Sequence, residues 1–368
     1  MALLDYLNKD VDKIIPYNTG KRINEVAREL GLNPESFVKL ASNECPLGPS
    51  PKAVEAIKKF ASNVHRYPDG SAYLLKNKLA EHLSVTPDQL IIGTGSNEII
   101  EFIGHCFINE NNSIVMSKHA FAIYKILSIM FGAEYVEVPM NGFTHDLEAI
   151  LDNIKNNTRV IFICNPNNPT STIVREKEID NFIARVPDDI LIVFDEAYKE
   201  ITQEQLPDTI KYVRNGKNVI VLRSFSKSYG LAGLRIGYGI STPEIIHSLN
   251  KSRQPFNVNL LAQMAALHAL DDQEFVAKSK EVYRKGIELI TKACDDMNIE
   301  YEPPYANFIL IKVCGNEQEI YTKLLNKGVI VRPLKGYLLP GYIRVSIGTE
   351  NENKKFIKAL KEVLNIYK

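Results

Sequence analysis

Six short apolar runs recur through the middle of the chain, at Leu90–Ile92, Ser113–Met116, Tyr135–Val138, Val160–Cys164, Ile190–Phe194 and Val219–Leu222. They are rich in β-branched residues, each ends in a polar turn, and helical patterns lie between several of them. Strands that alternate with helices assemble as βαβ units into a largely parallel sheet, whose ligands sit at the carboxyl ends of the strands. An α/β fold is therefore expected, with the informative residues directly after the strands.

The 368 residues exceed one ordinary domain of about 100–200 residues. Residues 1–40 carry turn signals and one amphipathic stretch, Ile23–Leu30, without continuing the alternation; they are expected to form an N-terminal arm belonging to a small domain. Residues 41–255 hold the six runs and are expected to form a large domain. After Pro255 comes a helical region to about Met297. It is followed by Phe308–Val313, a helix around Glu317–Asn326, the runs Val329–Arg332 and Ile343–Ile347, and a terminal helix from Asn351. That α+β order predicts a connecting helix and a small C-terminal domain over residues 256–368. No repeat, low-complexity tract or Gly/Ser linker separates the parts, so an extensive contact with a cleft between them is the expected binding site.

Forty-four basic residues balance forty-four acidic ones, which disfavours binding to nucleic acid or to an anionic membrane. The first ten residues carry charges where a signal peptide needs an apolar stretch, and no later run is long enough to span a bilayer, so a cytoplasmic protein is expected. Cys45, Cys106, Cys164, Cys294 and Cys314 are odd in number and lack Cys-x-x-Cys spacing, which argues against a disulfide frame. The seven histidines include no metal-binding pattern, so no protein-ligated metal is expected.

Three successive strand ends carry the chemistry. Val160–Cys164 leads into Asn165-Pro-Asn-Asn-Pro-Thr170, Ile190–Phe194 into Asp195-Glu-Ala-Tyr198, and Val219–Leu222 into Ser224-Phe-Ser-Lys-Ser-Tyr-Gly-Leu-Ala-Gly-Leu-Arg235. Taken singly these are ordinary features: a loop lysine is usually solvated, Asn-Pro pairs make common turns, and an Asp ending a strand often caps the next helix. Together they bring an amide, a carboxylate, a phenol and a lysine to one rim of the sheet, a set that matches the needs of pyridoxal 5'-phosphate. Its aldehyde requires a lysine, Lys227; its ring nitrogen needs a carboxylate, Asp195; and its phenolic oxygen needs donors, for which Asn168 and Tyr198 are candidates. For the phosphate, Gly93-Thr-Gly-Ser-Asn-Glu98 follows a strand and leads into the helical run Ile99–Cys106, so backbone N–H groups at the helix start face an anion. Ser96 and Asn97, after Gly95, are best placed. The third glycine of a dinucleotide fingerprint would fall at Glu98, so that reading fails. Ser224, Ser226 and Arg235 could close the other side, although an arginine alone is more often a surface or packing residue.

With these residues assembled, the chain resembles the fold-type-I aminotransferases and, within them, is most similar to the histidinol-phosphate aminotransferases. Further markers are Pro16-Tyr17, Leu40-Ala-Ser-Asn-Glu-Cys-Pro-Leu-Gly48, Arg66-Tyr-Pro-Asp69, Val331-Arg-Pro333 and Ile343-Arg-Val-Ser-Ile-Gly348. The resemblance implies a mostly parallel, mixed central sheet in a pyridoxal-phosphate-binding large domain, with a smaller α+β domain and an N-terminal arm. It implies that Lys227 takes the cofactor aldehyde in imine linkage and later moves the substrate proton, while Asp195 holds the pyridinium. Phe121 matches the ring-stacking position, although an ordinary core aromatic would give the same pattern. Tyr67 matches a tyrosine that reaches the neighbouring subunit's phosphate, which implies a homodimer. Arg344 matches the carboxylate-binding arginine, suited to glutamate or 2-oxoglutarate. Histidinol phosphate lacks an α-carboxylate, so its phosphate would use the same cationic region, with Arg332 and Tyr17 as additional partners; a surface charge and a packed phenol are the plain alternatives for those two.

Two residues depart from the family pattern. Cys45 stands where a second Asn is usual, and Ser171 where Gly is usual, so this turn either does not need positive φ or tolerates strain. The implied reaction is transamination between L-histidinol phosphate and 2-oxoglutarate in histidine biosynthesis. A broad aromatic aminotransferase and a threonine-phosphate decarboxylase are its rivals within the fold. A serine hydrolase of the Ser-x-x-Lys type is a distant one: Ser224 and Lys227 fit that spacing, but Lys-Thr-Gly and Ser-Asp-Asn are lacking, and a strand precedes the motif where a helix would start.

Overall fold

The computed structural model describes residues 10–16, 23–31, 33–313 and 315–365. Among them run twelve strands: β1 Val38–Lys39, β2 Leu90–Gly93, β3 Ser113–Ser117, β4 Glu134–Val138, β5 Thr158–Cys164, β6 Leu191–Asp195, β7 Val219–Ser224, β8 Gly237–Ile240, β9 Phe308–Lys312, β10 Val329–Ile330, β11 Arg332–Pro333 and β12 Tyr342–Ser346. Seven form one sheet in the order β2-β8-β7-β6-β5-β3-β4, parallel except for β8, which is antiparallel to both neighbours. The expected mostly parallel, mixed sheet is thus present.

The runs look continuous in apolar residues because both faces of the sheet are covered. Alternate residues sort into two separate cores. Ile161, Ile163, Ile192, Phe194, Val219 and Val221 join the cluster on one face, and Val160, Phe162, Leu191, Val193, Ile220 and Leu222 that on the other. Each such fully buried side chain contributes roughly 1.5–3 kcal/mol. The strand β8, Gly-Tyr-Gly-Ile, has no apolar run and is missed by the sequence reading. Its first glycine is required by proximity: a Cβ on Gly237 would lie 2.5 Å from Ser96 N.

The remaining strands form two smaller sheets. β11, β12 and β9 make an antiparallel sheet whose core includes Phe308, Ile309, Ile311, Ile343, Val345 and Phe356. Residues 329–332, expected as one strand, divide at Val331: β10 pairs with β1 and β11 with β12. The β1–β10 pairing joins the end of the N-terminal arm to the C-terminal part of the chain. The helical region after Pro255 is two helices, Leu260–Ala269 and Gln273–Asp296. Among the described residues no helix is long and apolar enough to cross a membrane.

Candidate active site

Parallel register aligns the ends of three strands. Cys164 is opposite Asp195, and Asp195 opposite Leu222, so the segments that follow emerge side by side. They open onto a cavity of about 480 Å3 that also receives Arg332 and Arg344 from the smaller sheet. Asn168, Asp195, Tyr198, Ser224, Ser226 and Lys227 all line it.

Asp195 is 4% exposed. Its Oδ2 accepts from Tyr124 Oη at 2.8 Å and its Oδ1 from Ala197 N at 3.2 Å. Burial pushes its carboxyl up from the ordinary range, against the pull of these two hydrogen bonds. Lys227 is pushed down to about 8, first by burial and then by the Arg344 guanidinium. Its Nζ donates to Ser42 O at 3.3 Å, and among the described residues no carboxylate forms a salt bridge with it, although Glu44 acts on it at longer range. An amine in this state is available as a nucleophile near neutral pH.

The amide of Asn168 is shared: its Nδ2 donates to Tyr198 Oη at 3.2 Å, and its Oδ1 accepts from Arg344 Nη1 at 2.5 Å. Asn43 Nδ2 also donates to Tyr198 Oη, at 3.1 Å. With two donors on its oxygen, and with burial pushing its pKa up, the Tyr198 phenol keeps its own O–H to donate. Arg344, 3% exposed, gives its other terminal nitrogen to Ala41 O at 2.7 Å and lies 5.3 Å from the Phe308 ring, while its buried Nε has no hydrogen-bond partner among the described residues. Arg332 is its direct cross-strand partner. The pairing brings two guanidinium-bearing residues to one edge of the cavity.

Gly95, Ser96, Asn97 and Arg235 also line the cavity. Gly95, at φ +79, turns β2 into the helix Ser96–Phe107, and a Cβ there would meet Arg235 Nη2 at 2.8 Å. Glycine is what lets the guanidinium approach the helix start. The turn is held from behind by Glu98, whose Oε2 accepts from Thr94 N at 2.7 Å and Asn257 Nδ2 at 2.6 Å. N–H groups, hydroxyls of Ser224 and Ser226 and a guanidinium therefore converge as a cradle for a phosphate-sized dianion. Phe121, which precedes the helix Ala122–Met130, lines the same cavity.

Two further expected residues do not line this cavity or are not described. Tyr67 is 83% exposed and stacks on Phe256, ring centroids 4.8 Å apart, outside the cavity. Tyr17 lies outside the described residues. Three residues of the site carry no signal of their own in the sequence: Ser42 and Asn43, which lie within Leu40-Ala-Ser-Asn-Glu-Cys-Pro-Leu-Gly48, and Tyr124, three residues beyond Phe121. Ser171 does adopt positive φ, +66, so the turn tolerates the strain.

The family model for aminotransferase class I and II matches residues 35–360. A histidinol-phosphate aminotransferase of Akkermansia muciniphila is 51% identical over 99% of this chain and 100% of its own length. That of Caldicellulosiruptor saccharolyticus is 49% identical over 95% and 98%. The crystal structure of histidinol-phosphate aminotransferase from Sinorhizobium meliloti, in complex with pyridoxal-5'-phosphate, superposes with a TM-score of 0.88, at 26% identity and 97% coverage of each chain. Sequence, fold and the residues gathered at the strand ends agree, and the chain belongs to the class I and II aminotransferases and, within them, to the histidinol-phosphate aminotransferases.

Proposed function

We propose that this enzyme uses pyridoxal 5'-phosphate to transfer the amino group between L-histidinol phosphate and 2-oxoglutarate, giving imidazole acetol phosphate and L-glutamate. The observation that carries the reading is the convergence of Lys227, Asp195 and the Ser96–Arg235 cradle on one cavity, together with Arg344 and Arg332. The donor set fits the cofactor: a dianion cradle, a buried carboxylate and a depressed-pKa amine. When bound, the cofactor supplies an aldehyde that condenses with amines and a protonated ring that draws electrons from the substrate carbon.

Gly95, Ser96, Asn97, Ser224, Ser226 and Arg235 hold the phosphate, and Phe121 covers the ring. Asp195 keeps the ring nitrogen protonated, its own charge maintained by Tyr124 and the Ala197 N–H. Asn168 and Tyr198 donate to the phenolic oxygen. Lys227 Nζ removes and returns the proton at the amine-bearing carbon, a role for which its lowered pKa suits it. Arg344 meets the carboxylate of glutamate, and its unpartnered buried Nε supports an anion at that place. The phosphate of histidinol phosphate uses the same region with Arg332 and Tyr17. The exposed Tyr67–Phe256 pair supports a homodimer in which Tyr67 reaches the second subunit's phosphate.

Half-reactions followed by the visible absorption of the cofactor test this reading with histidinol phosphate, phenylalanine, aspartate and threonine phosphate in parallel. Histidinol phosphate is expected to react fastest and Lys227→Ala to lose the visible band. Equal turnover of phenylalanine would instead identify an aromatic aminotransferase, and loss of carbon dioxide from threonine phosphate a decarboxylase.

A further inference from the structure

Ser171 combines three features that rarely coincide: a side chain on a left-handed backbone, φ +66, complete burial, and a hydroxyl committed across a junction between two parts of the fold. Its Oγ accepts from Ala306 N at 2.9 Å and from Tyr305 N at 3.1 Å. Tyr305 N also reaches Ser171 O at 2.9 Å, so that amide would keep an acceptor without the side chain. Ala306 is 2% exposed, and for its N–H the hydroxyl is the acceptor. A buried donor left unsatisfied is unfavourable by more than the bond itself contributes. Positive φ on a residue other than glycine persists only where the surroundings over-determine it, and it clusters at functional sites.

The two ends of this contact lead to the two halves of the substrate site. Ser171 closes the turn that carries Asn168, with Ser171 N donating to Asn167 O at 2.8 Å. Tyr305 and Ala306 lead directly into Asn307 and β9. Asn307 Nδ2 donates to Asn43 O at 3.1 Å, and Asn43 donates to Tyr198. Phe308 packs edge-on against Tyr198 at 5.2 Å and lies beneath the Arg344 guanidinium at 5.3 Å. Asn168 Oδ1 in turn accepts from Arg344. A shift between the turn and β9 would move the support of Arg344 relative to the amide that orients it.

We infer that Ser171 is a positioning residue: its hydroxyl clasps the large-sheet turn to β9 and so sets Arg344 in register with Asn168 for binding the substrate's anionic group. The inference rests on the reading of Arg344 given above. A glycine here would adopt the same backbone without strain but would lack the acceptor, so the serine exchanges backbone ease for a pinned junction.

The test uses the holoenzyme with Ser171→Ala, Ser171→Gly and, as a control on the reading of Arg344, Arg344→Ala. Hydrogen–deuterium exchange of the peptide containing Tyr305 and Ala306 is expected to quicken about tenfold in both Ser171 variants, the effect of losing a bond of about 1.4 kcal/mol. The KM for glutamate should rise about tenfold, more than kcat falls, while the cofactor's visible band and its dissociation constant stay at wild-type values. Unchanged exchange overturns the inference, as does a Gly variant with wild-type exchange and KM beside an affected Ala variant, since strain and not the hydroxyl would then be responsible. Loss of glutamate affinity in Arg344→Ala but not in the Ser171 variants overturns the inference alone. Unaltered affinity in all three overturns the reading of Arg344 and the inference with it.

Discussion

Consecutive carboxylates at the end of β6 have opposite surroundings. Glu196, 2% exposed, is saturated: Thr209 Oγ1 donates to its Oε1 at 2.6 Å and Lys199 Nζ at 3.2 Å, while Arg223 gives Nε at 3.0 Å and Nη2 at 2.9 Å to its Oε2. Asp195, on the other side of the strand end, has a phenol and one backbone amide and no cation bonded to it. The two arginines buried among the described residues divide the same way. Arg223 faces a carboxylate, whereas Arg344 faces an amide oxygen and a carbonyl and keeps its Nε unpartnered. The charge of the Glu196–Arg223 pair is neutralised within the protein, whereas the charges that face the cavity, Asp195 and Arg344, are left with capacity to spare. That asymmetry, more than burial itself, separates the site from the scaffold.

The largest effect is expected from breaking the saturated side. Glu196→Ala leaves Arg223 buried without its carboxylate and should lower stability in urea denaturation by about 3–5 kcal/mol, with most of the loss recovered when Arg223→Met is added. A fall of less than about 1 kcal/mol would mean that water replaces the carboxylate, at odds with a saturated pair. Asp195→Asn tests the other side. Transamination should fall about 100- to 1,000-fold, or about 3–4 kcal/mol, while urea stability is held or raised, because a neutral amide replaces a buried charge. Destabilisation as large as that of Glu196→Ala would erase the contrast.

His145 sharpens the comparison from a third position. It is 3% exposed, and both ring nitrogens are engaged, Nδ1 with Ser117 Oγ at 2.6 Å and Nε2 with Cys164 O at 2.8 Å. Burial pushes its pKa from 6.5 down to about 4. The unfolded chain therefore binds the proton first: stability is intact above about 6.5 and declines as pH falls toward 4, by about 3 kcal/mol over that window. His145→Gln should flatten this part of the pH–stability curve measured by thermal melts. A curve that keeps its full slope would assign the acid sensitivity to another group.

Much of the fold is legible in the chain because strands covered on both faces have no polar alternation to hide them, as in Ile161 to Cys164. The strand β8 is not, since Gly237 and Gly239 are chosen for close approach and leave only Tyr238 and Ile240 as apolar signal. In the site, Asp195 and Lys227 could be picked out because they stand together with Asn168 at or just after three successive strand ends, not from any one position alone. Ser42 and Asn43 could not, because they reach the cavity from the segment just after the arm, 155 residues before Tyr198 in the case of Asn43. Nor could the pairing of Tyr124 with Asp195, which depends on where a helix places a phenol behind the sheet. The strain at Ser171 was visible only as a departure from an expected glycine.

The reversed strand has an outcome for assembly. Gly93 and Gly237 are Cα partners although far apart in sequence, and Arg235 stands just ahead of the second of them. The cradle is therefore a long-range closure: neither its helix-start half nor its guanidinium half exists as a site until β8 has docked between β2 and β7. Contacts of such sequence separation form late, after the loop-closure entropy of the intervening chain has been overcome. A ligand that bridges the two halves acts on that last step, raising stability in proportion to the logarithm of its concentration over its dissociation constant. Occupancy of the cradle is thus equivalent to a lock on the completed sheet.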